Sequence, residues 1–395
     1  MKKVATMMLA IFLASCQPNE QIDEQTSSDS ESASEITNNV EASSEEESEE
    51  AVIISFVGVG DNLIHDSIIA DVYQEDGSYN FTPIYEHIAS EIQDADLAFL
   101  NQETILAGTD YPYTGYPAFN TPNEMAGNMA DLGFDLVNGA TNHTLDYDYP
   151  GAIHAIEVWS NYPDLIYTGT YLSEADRLRI PTIERKGVTF SFLSYTYGTN
   201  GIEPDTDWRV SYFDEKLIRD DVKRAKEVSD VVIVSAHWGD ENTSEINDFQ
   251  RYYAQLFADL EVDVVVGTHP HILQPVEWLE GEGGNQTLVI YSLGNLVAHS
   301  LEDFNTLGGM IHFDFVVEDE QIGIDNVFFE PTVSHYTADH QNIEQTRRGF
   351  KIYKLKDYTD EIAGEHGLNG YNGIVISQEH YQDMVDSIIP KEFLK

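Results

Sequence analysis

Five short apolar runs, each followed by residues able to bind a metal, constrain this chain more than any other feature. Ile53–Val59 leads into Gly60-Asp61, and Leu97–Leu100 into Asn101-Gln102-Glu103. Asp135–Gly139 comes just before Asn142-His143, Val231–Ala236 before His237-Trp238-Gly239, and Val262–Val266 before Gly267-Thr268-His269-Pro270-His271. Runs of this length, rich in Val and Ile and closed by Gly, read as buried parallel strands. In open α/β sheets, ligands sit at the carboxyl ends of the strands. The pattern therefore carries an Asp, a Glu, Asn side chains and four His to one sheet edge. Carboxylate, imidazole and amide donors in that mixture suit one or two divalent metals.

Each motif has a bland alternative. A strand-terminal Gly60-Asp61 also serves as a turn or helix cap, and His65, four residues on, can face away in the following turn. Glu103 suits a bridging ligand or an exposed loop acid. Asn142 offers a ligand without charge, and His143 beside it a proton for a leaving group; the pair also fits an exposed turn. His269-Pro270-His271 is the strongest motif. Pro270 cannot continue a central strand, which puts both imidazoles in a loop just past Val266. Two metals about 3.5–4 Å apart hold the nucleophile and leaving-group oxygens of a transferring group and lower the pKa of bound water to about 7. His87, His154, His299, His312, His335 and His340 lack partner spacing.

The two ends set the context. Lys2-Lys3, the apolar stretch Ala5–Phe12 and Leu13-Ala14-Ser15-Cys16 resemble a bacterial lipoprotein signal over residues 1–16, with Cys16 lipidated. Cys16 is the single cysteine, so neither an intrachain disulfide nor a thiolate metal site is available. Residues 17–51 carry 12 acidic side chains, no Lys or Arg and no aromatic residue. Such a segment is expected to be a disordered acidic linker. Without it and the signal, the rest still bears a net charge of about −40. That argues against nucleic acid as a partner, since phosphate binding needs clustered Lys and Arg. Residues 52–330 read as one α/β domain. Helices are expected at 66–73, 82–93, 123–132, 150–160, 214–228 and 245–260, with antiparallel meanders after His271 and a packed C-terminal extension over 331–395.

The order Asp61, Asn101/Glu103, Asn142-His143, His237, His269-Pro270-His271 and Tyr291-Ser292-Leu293-Gly294-Asn295 resembles the CapA family of poly-γ-glutamate capsule biosynthesis proteins, related to calcineurin-like metallophosphoesterases. Phe119-Asn120-Thr121-Pro122 and Tyr195–Gly201 look like segments of the same family. The resemblance implies a four-layer α/β/β/α sandwich of the metallophosphoesterase type with a dinuclear site of Mn, Zn or Fe. By position it implies Asp61 as first ligand, Glu103 in place of a bridging Asp, and Asn142 as the amide ligand. His237 and His269 fall on one metal, His271 on the other, and His143 is the proton donor. Leu63 stands where a ligand His is expected, with His65 as its substitute. Asn101, Trp238 and Asn295 complete the site loops.

The signal over residues 1–16 implies a lipid-anchored extracellular protein, and the resemblance implies that it acts as a metal-dependent hydrolase or transferase on an anionic envelope polymer, beside membrane polymer-synthesis proteins. The alternative is a non-enzymatic surface component of a synthesis or export complex. A calcium-binding adhesin, suggested by the acidity, lacks a D-x-D-x-D-G loop. If Cys16 is the anchor, Cys16→Ala moves the protein out of the membrane fraction; firm membrane attachment of the variant contradicts the anchor.

Overall fold

The computed structural model describes residues 51–319 and 321–395. The expected signal segment, Cys16 and all of the acidic linker but Ala51 lie outside the described residues. Strands β1 (Val52–Asn62), β2 (Leu97–Asn101), β3 (Leu136–Asn138) and β4 (Ile166–Thr168) run parallel, joined by connections that contain helices. β5 (Thr182–Arg185) and β6 (Val188–Thr196) form a hairpin closed by Lys186-Gly187, both at positive φ as a two-residue turn requires. β7 (Val231–His237) and β8 (Val264–Thr268) extend that second sheet in parallel. β9 (Leu273–Glu280) and β10 (Gln286–Leu293) form its last hairpin, with β10 pairing parallel to β8. The chain then returns to the first sheet with β11 (Asn295–Val297), β12 (Leu307–Glu318), β13 (Gln321–Thr337) and β14 (Arg348–Lys354).

The result is an eight-stranded sheet in the order β14-β13-β12-β1-β2-β3-β4, with β11 also on β1, and a six-stranded sheet β5-β6-β7-β8-β10-β9. Side-chain alternation shows how the sheets stack. Val231 and Ile233 of β7, Val264 and Val266 of β8, and Leu288 and Ile290 of β10 join a core shared with Phe56, Leu97, Phe99 and Phe313 of the first sheet. Their neighbours Val232, Val234, Val265, Val289 and Tyr291 join a separate core with Ile218, Val222, Ala254 and Phe257 of the helices Glu215–Lys226 and Asp248–Asp259. Since strand side chains alternate between faces, the second sheet has one face on the first sheet and one under helices. Edge-to-face pairs Phe99–Phe192 and Phe190–Phe315 cross the inter-sheet layer. Met125, Met129, Ala155 and Trp159 of helices Glu124–Leu132 and Asp148–Trp159 are buried in the same core as the first sheet. The expected α/β/β/α sandwich is met.

Three expectations are corrected. The stretch expected as one helix at 82–93 is a 3-10 turn Thr82–Tyr85 followed by a short helix Ala89–Asp94, because Ile84 and Ile88 donate to the carbonyls three residues back. The strands after His271 pair antiparallel with their chain neighbours as expected, β9 with β10 and β12 with β13 and β14, but they are divided between the two sheets. β9 and β10 complete the second sheet, while β12 lies antiparallel to β1 from Val52↔Val317 to Val59↔Met310. Alternation marks these strands in the sequence but carries no information on distant partners. The boundary drawn at residue 330 cuts through β13, and Ile352, Leu355, Tyr358, Tyr381 and Phe393 share the main core.

Two glycines let the strand ends converge. At the end of β1 the neighbour changes from β12 to β11, and Asp61 N donates to Gly294 O at 2.9 Å. A Cβ on Gly60 would lie 2.0 Å from that carbonyl oxygen. A Cβ on Gly267 would lie 2.0 Å from Tyr291 O, which accepts from Trp238 Nε1. Gly60→Ala is expected to cost about 1–3 kcal/mol through overpacking. Gly323→Ala, with nothing within 4 Å of its Cβ, is expected to be near neutral. Urea unfolding midpoints check the pair, and equal midpoints contradict the close-approach account.

Candidate metal centre

The strand ends of the two sheets meet at Asp61 and Glu103. Asp61, wholly buried at the end of β1, accepts from Asn101 Nδ2 at 2.7 Å and from the backbone N of His269 at 3.3 Å. Asn138, at the end of β3, donates in turn to Asn101 Oδ1 at 2.8 Å. Three neighbouring strands of the first sheet thus fix one carboxylate, and the loop after β8 in the second sheet caps it. His271 Nδ1 lies 3.1 Å from Asp61 Oδ2 and 3.1 Å from Asn295 Oδ1, and its Nε2 lies 3.4 Å from Glu103 Oε1. His237 crosses the other way: its Nδ1 contacts Thr268 Oγ1 at 2.8 Å and its Nε2 contacts Asn142 Oδ1 at 3.0 Å.

Two groups of ligand atoms result, each with members within 4.8 Å of one another: Glu103 with His237 and His269, and Glu103 with Asp61 and His271. Glu103 belongs to both. A third group joins the exposed Glu241 to His269 and His271.

The electrostatics fit a cation. Glu103 Oε1 and His269 Nδ1 are buried without a hydrogen-bond partner, a costly state for a carboxylate oxygen or a ring nitrogen. Burial holds the Glu103 carboxyl well above the usual range, with His271 opposing. Burial pulls His271 down, but Glu103 and Asp61 outweigh it and hold it up at about 10. Both groups therefore grip protons more tightly than usual. Among the described residues, Asp61 and Glu103 have His271 as their only ion-pair partner. Burial and neighbouring imidazoles push His237 and His269 well below the ordinary value. Neutral imidazole is the ligating form. An all-oxygen-and-nitrogen donor set suits Mn, Zn or Fe.

The loop backbone is held in an unusual shape. His269 has φ 96 and His271 φ 62. Left-handed backbone at non-glycine residues costs on the order of 1–3 kcal/mol each and clusters at functional sites.

His143 is oriented rather than free. Its Nδ1 donates to Asp146 Oδ2 at 2.7 Å, and Asp146 is itself fixed by accepting from Phe119 N at 2.7 Å. A carboxylate only accepts, so Nδ1 carries the proton and Nε2 is the working nitrogen. Asn142, His143, His237, His269 and His271 thus meet around Asp61 and Glu103.

Two expected residues lie elsewhere. His65 belongs to none of the ligand groups. Its ring stacks on His299 with centroids 3.7 Å apart, and its Nδ1 contacts Leu63 O at 3.0 Å, because the chain has already turned into the helix Asp66–Asp71. Trp238 is next to His237, so alternation sends it to the opposite side. It is wholly buried against Phe213 and Tyr291 in the outer core of the second sheet. Asn101 and Asn295 hold Asp61 and His271, as given above. Sequence reasoning gave Glu241 and Asp146 no role. Glu241 had a signal in its place four residues after His237, and Asp146 in its i+3 spacing from His143.

A profile of the family described as bacterial capsule synthesis protein PGA_cap matches residues 17–300. The match covers well over half of the 395 residues, and the chain belongs to this family. The PGA biosynthesis protein CapA of Bacillus subtilis (strain 168) is 30% identical over 232 residues, which cover 54% of this chain and 60% of that protein. The capsule biosynthesis protein CapA of Bacillus anthracis is 28% identical over 175 residues, 43% of this chain and 41% of that protein. The chain thus spans less than two thirds of the length of these relatives. Among solved structures, the calcineurin-like phosphoesterase YfkN from Bacillus subtilis aligns at a TM-score of 0.42 and 12% identity, covering 85% of this chain and 96% of that one. A hypothetical protein from Thermus thermophilus aligns at 0.43 and 14%, covering 70% and 99%. Likeness at that level carries no argument about activity.

Removing the carboxamide that fixes Asp61, as in Asn101→Ala, is expected to weaken metal binding about 10–100-fold. Asp61→Ala, His269→Ala and His271→Ala are expected to lose more, and Trp238→Phe to keep its metal. Metal analysis of the purified variants checks the series; equal content in all of them contradicts the site.

Proposed function

We propose that this chain is a metal-dependent hydrolase or transferase of envelope polymer biosynthesis, acting on poly-γ-glutamate or its precursor. It would be anchored through Cys16 on the outer face of the cell membrane, beside membrane polymer-synthesis proteins. The observation that carries the reading is Glu103, a buried carboxylate shared by two ligand groups with one oxygen that has no hydrogen bond. The family, and relatives named for PGA and capsule biosynthesis, support the polymer.

Asp61, Glu103 and His271 would hold one divalent ion, and Glu103, His237, His269 and Asn142 the other. Bound there, two such ions supply Lewis-acid activation of the scissile group and of water. The chain's own part is orientation and proton delivery. Asn101 and His269 N fix the Asp61 carboxylate, Thr268 positions the His237 ring, and Asn295 positions His271. His143 would give the proton at Nε2 to the departing oxygen or nitrogen, and Asp146 stabilises the imidazolium before that transfer.

His143→Ala is expected to keep its metal and lose about 10²–10⁴-fold in turnover. The loss shrinks for an activated aryl ester, which leaves without a proton, relative to an alkyl ester. Loss of metal makes His143 a ligand instead, and equal loss on both substrates removes the proton-donor role. If the metal-loaded wild type turns over no phosphoester, nucleotide or γ-glutamyl substrate, the non-enzymatic polymer-binding alternative replaces the enzyme.

A further inference from the structure

We propose that the cavity beside the metal centre is an anion-binding subsite in which Arg347 receives a carboxylate or phosphate group of the substrate. The proposal rests on the reading above and names the chemistry of its substrate. The cavity has a volume of about 590 Å³ and is walled by His271 and Asn295 of the centre together with His65, His299, Asn305 and Arg347. A molecule that fills it would touch both His271 of the centre and the arginine.

Arg347 is 8% exposed, and its Nε has no hydrogen-bond partner. Among the described residues no carboxylate lies within ion-pair distance of it. The other buried arginine, Arg177, is held by Asp221. A buried, unpaired guanidinium is costly, and the contrast is sharp in a chain of net charge −50. The guanidinium packs by the Tyr336 ring, Cζ 5.7 Å from its centroid, which fixes its place at the end of the short helix Ile343–Thr346. Two acids also line the cavity, Asp66 and Glu344, and both are exposed to solvent, where their charge is screened.

The remaining wall is uncharged. Burial holds His65 well below its ordinary value, and burial with Arg347 behind it holds His299 down at about 3. Both stacked rings are therefore neutral, and Arg347 is the one arginine or lysine of the wall. A guanidinium fork matches carboxylate and phosphate oxygens in a bidentate manner. A γ-linked glutamyl chain carries a free carboxylate on every residue, and a phosphorylated precursor carries phosphate; the two share this chemistry.

The test is direct titration of the full chain with glutarate and, separately, inorganic phosphate, both as the metal-loaded and as the chelator-treated protein. Wild type is expected to bind at least one of them without metal. Arg347→Gln is expected to weaken that binding about 30-fold or more, Arg347→Lys to restore part of it, and metal content to stay unchanged. Leu301→Glu, which adds a negative charge to the same wall, is expected to weaken it as well and decides the matter if the Arg347 variants fail to fold. Glutarate alone binding points to the polymer's carboxylates, and phosphate alone to a phosphorylated precursor. Binding of neither anion by wild type, or equal binding by wild type, Arg347→Gln and Leu301→Glu, overturns the subsite. A chain that binds the anion but takes up no metal overturns the metal centre instead and leaves the subsite standing.

Discussion

Two buried carboxylates with no lysine or arginine to answer them among the described residues are the constraint on which the site depends. Asp61 ends β1 and Glu103 lies two residues past the end of the adjacent parallel strand β2, so their meeting follows from the sheet and the loop it leads into. Glycine at position 60 lets the Gly294 carbonyl approach, which seats β11 and brings Asn295 to His271. The left-handed turn at His269 and His271 then folds the second sheet's loop over the same charges. The strain in that loop is tolerable because the backbone amide of His269 and the ring of His271 both face carboxylate.

The neutral imidazoles complete the same logic. His237 and His269 sit where burial keeps protons off, while Glu103 and His271 hold theirs too tightly. A divalent ion held there would resolve both departures: it would take the lone pairs that protons leave free and supply the charge for which Glu103 and His271 retain protons. Family membership in bacterial capsule synthesis and this arrangement point in one direction. The arginine on the neighbouring cavity would give a substrate's negative charge a place on the same cavity wall as the proposed centre.

Much of this was legible in the sequence, because an apolar run and the residue after it fix a strand and its carboxyl end together. Asp61, Glu103, His237, His269 and His271 were readable on that ground alone. His65 was misplaced because spacing along the chain says nothing about where a turn points after a strand has ended. Trp238 was misplaced for a simpler reason: it adjoins His237, and strand alternation sends neighbours to opposite faces. The division of the late strands between two sheets, and the position of Arg347 on the cavity that His271 also lines, depend on long-range pairing that local patterns do not encode.

Electron paramagnetic resonance of the full chain loaded with Mn tests the central claim most directly. A carboxylate shared by two ions holds them about 3.5–4 Å apart, close enough for exchange coupling. The account predicts a coupled pair with two Mn per chain in the wild type, and its replacement by an isolated, weaker Mn signal in Glu103→Gln. An uncoupled Mn signal in the wild type, or a coupled pair that survives Glu103→Gln, would contradict it.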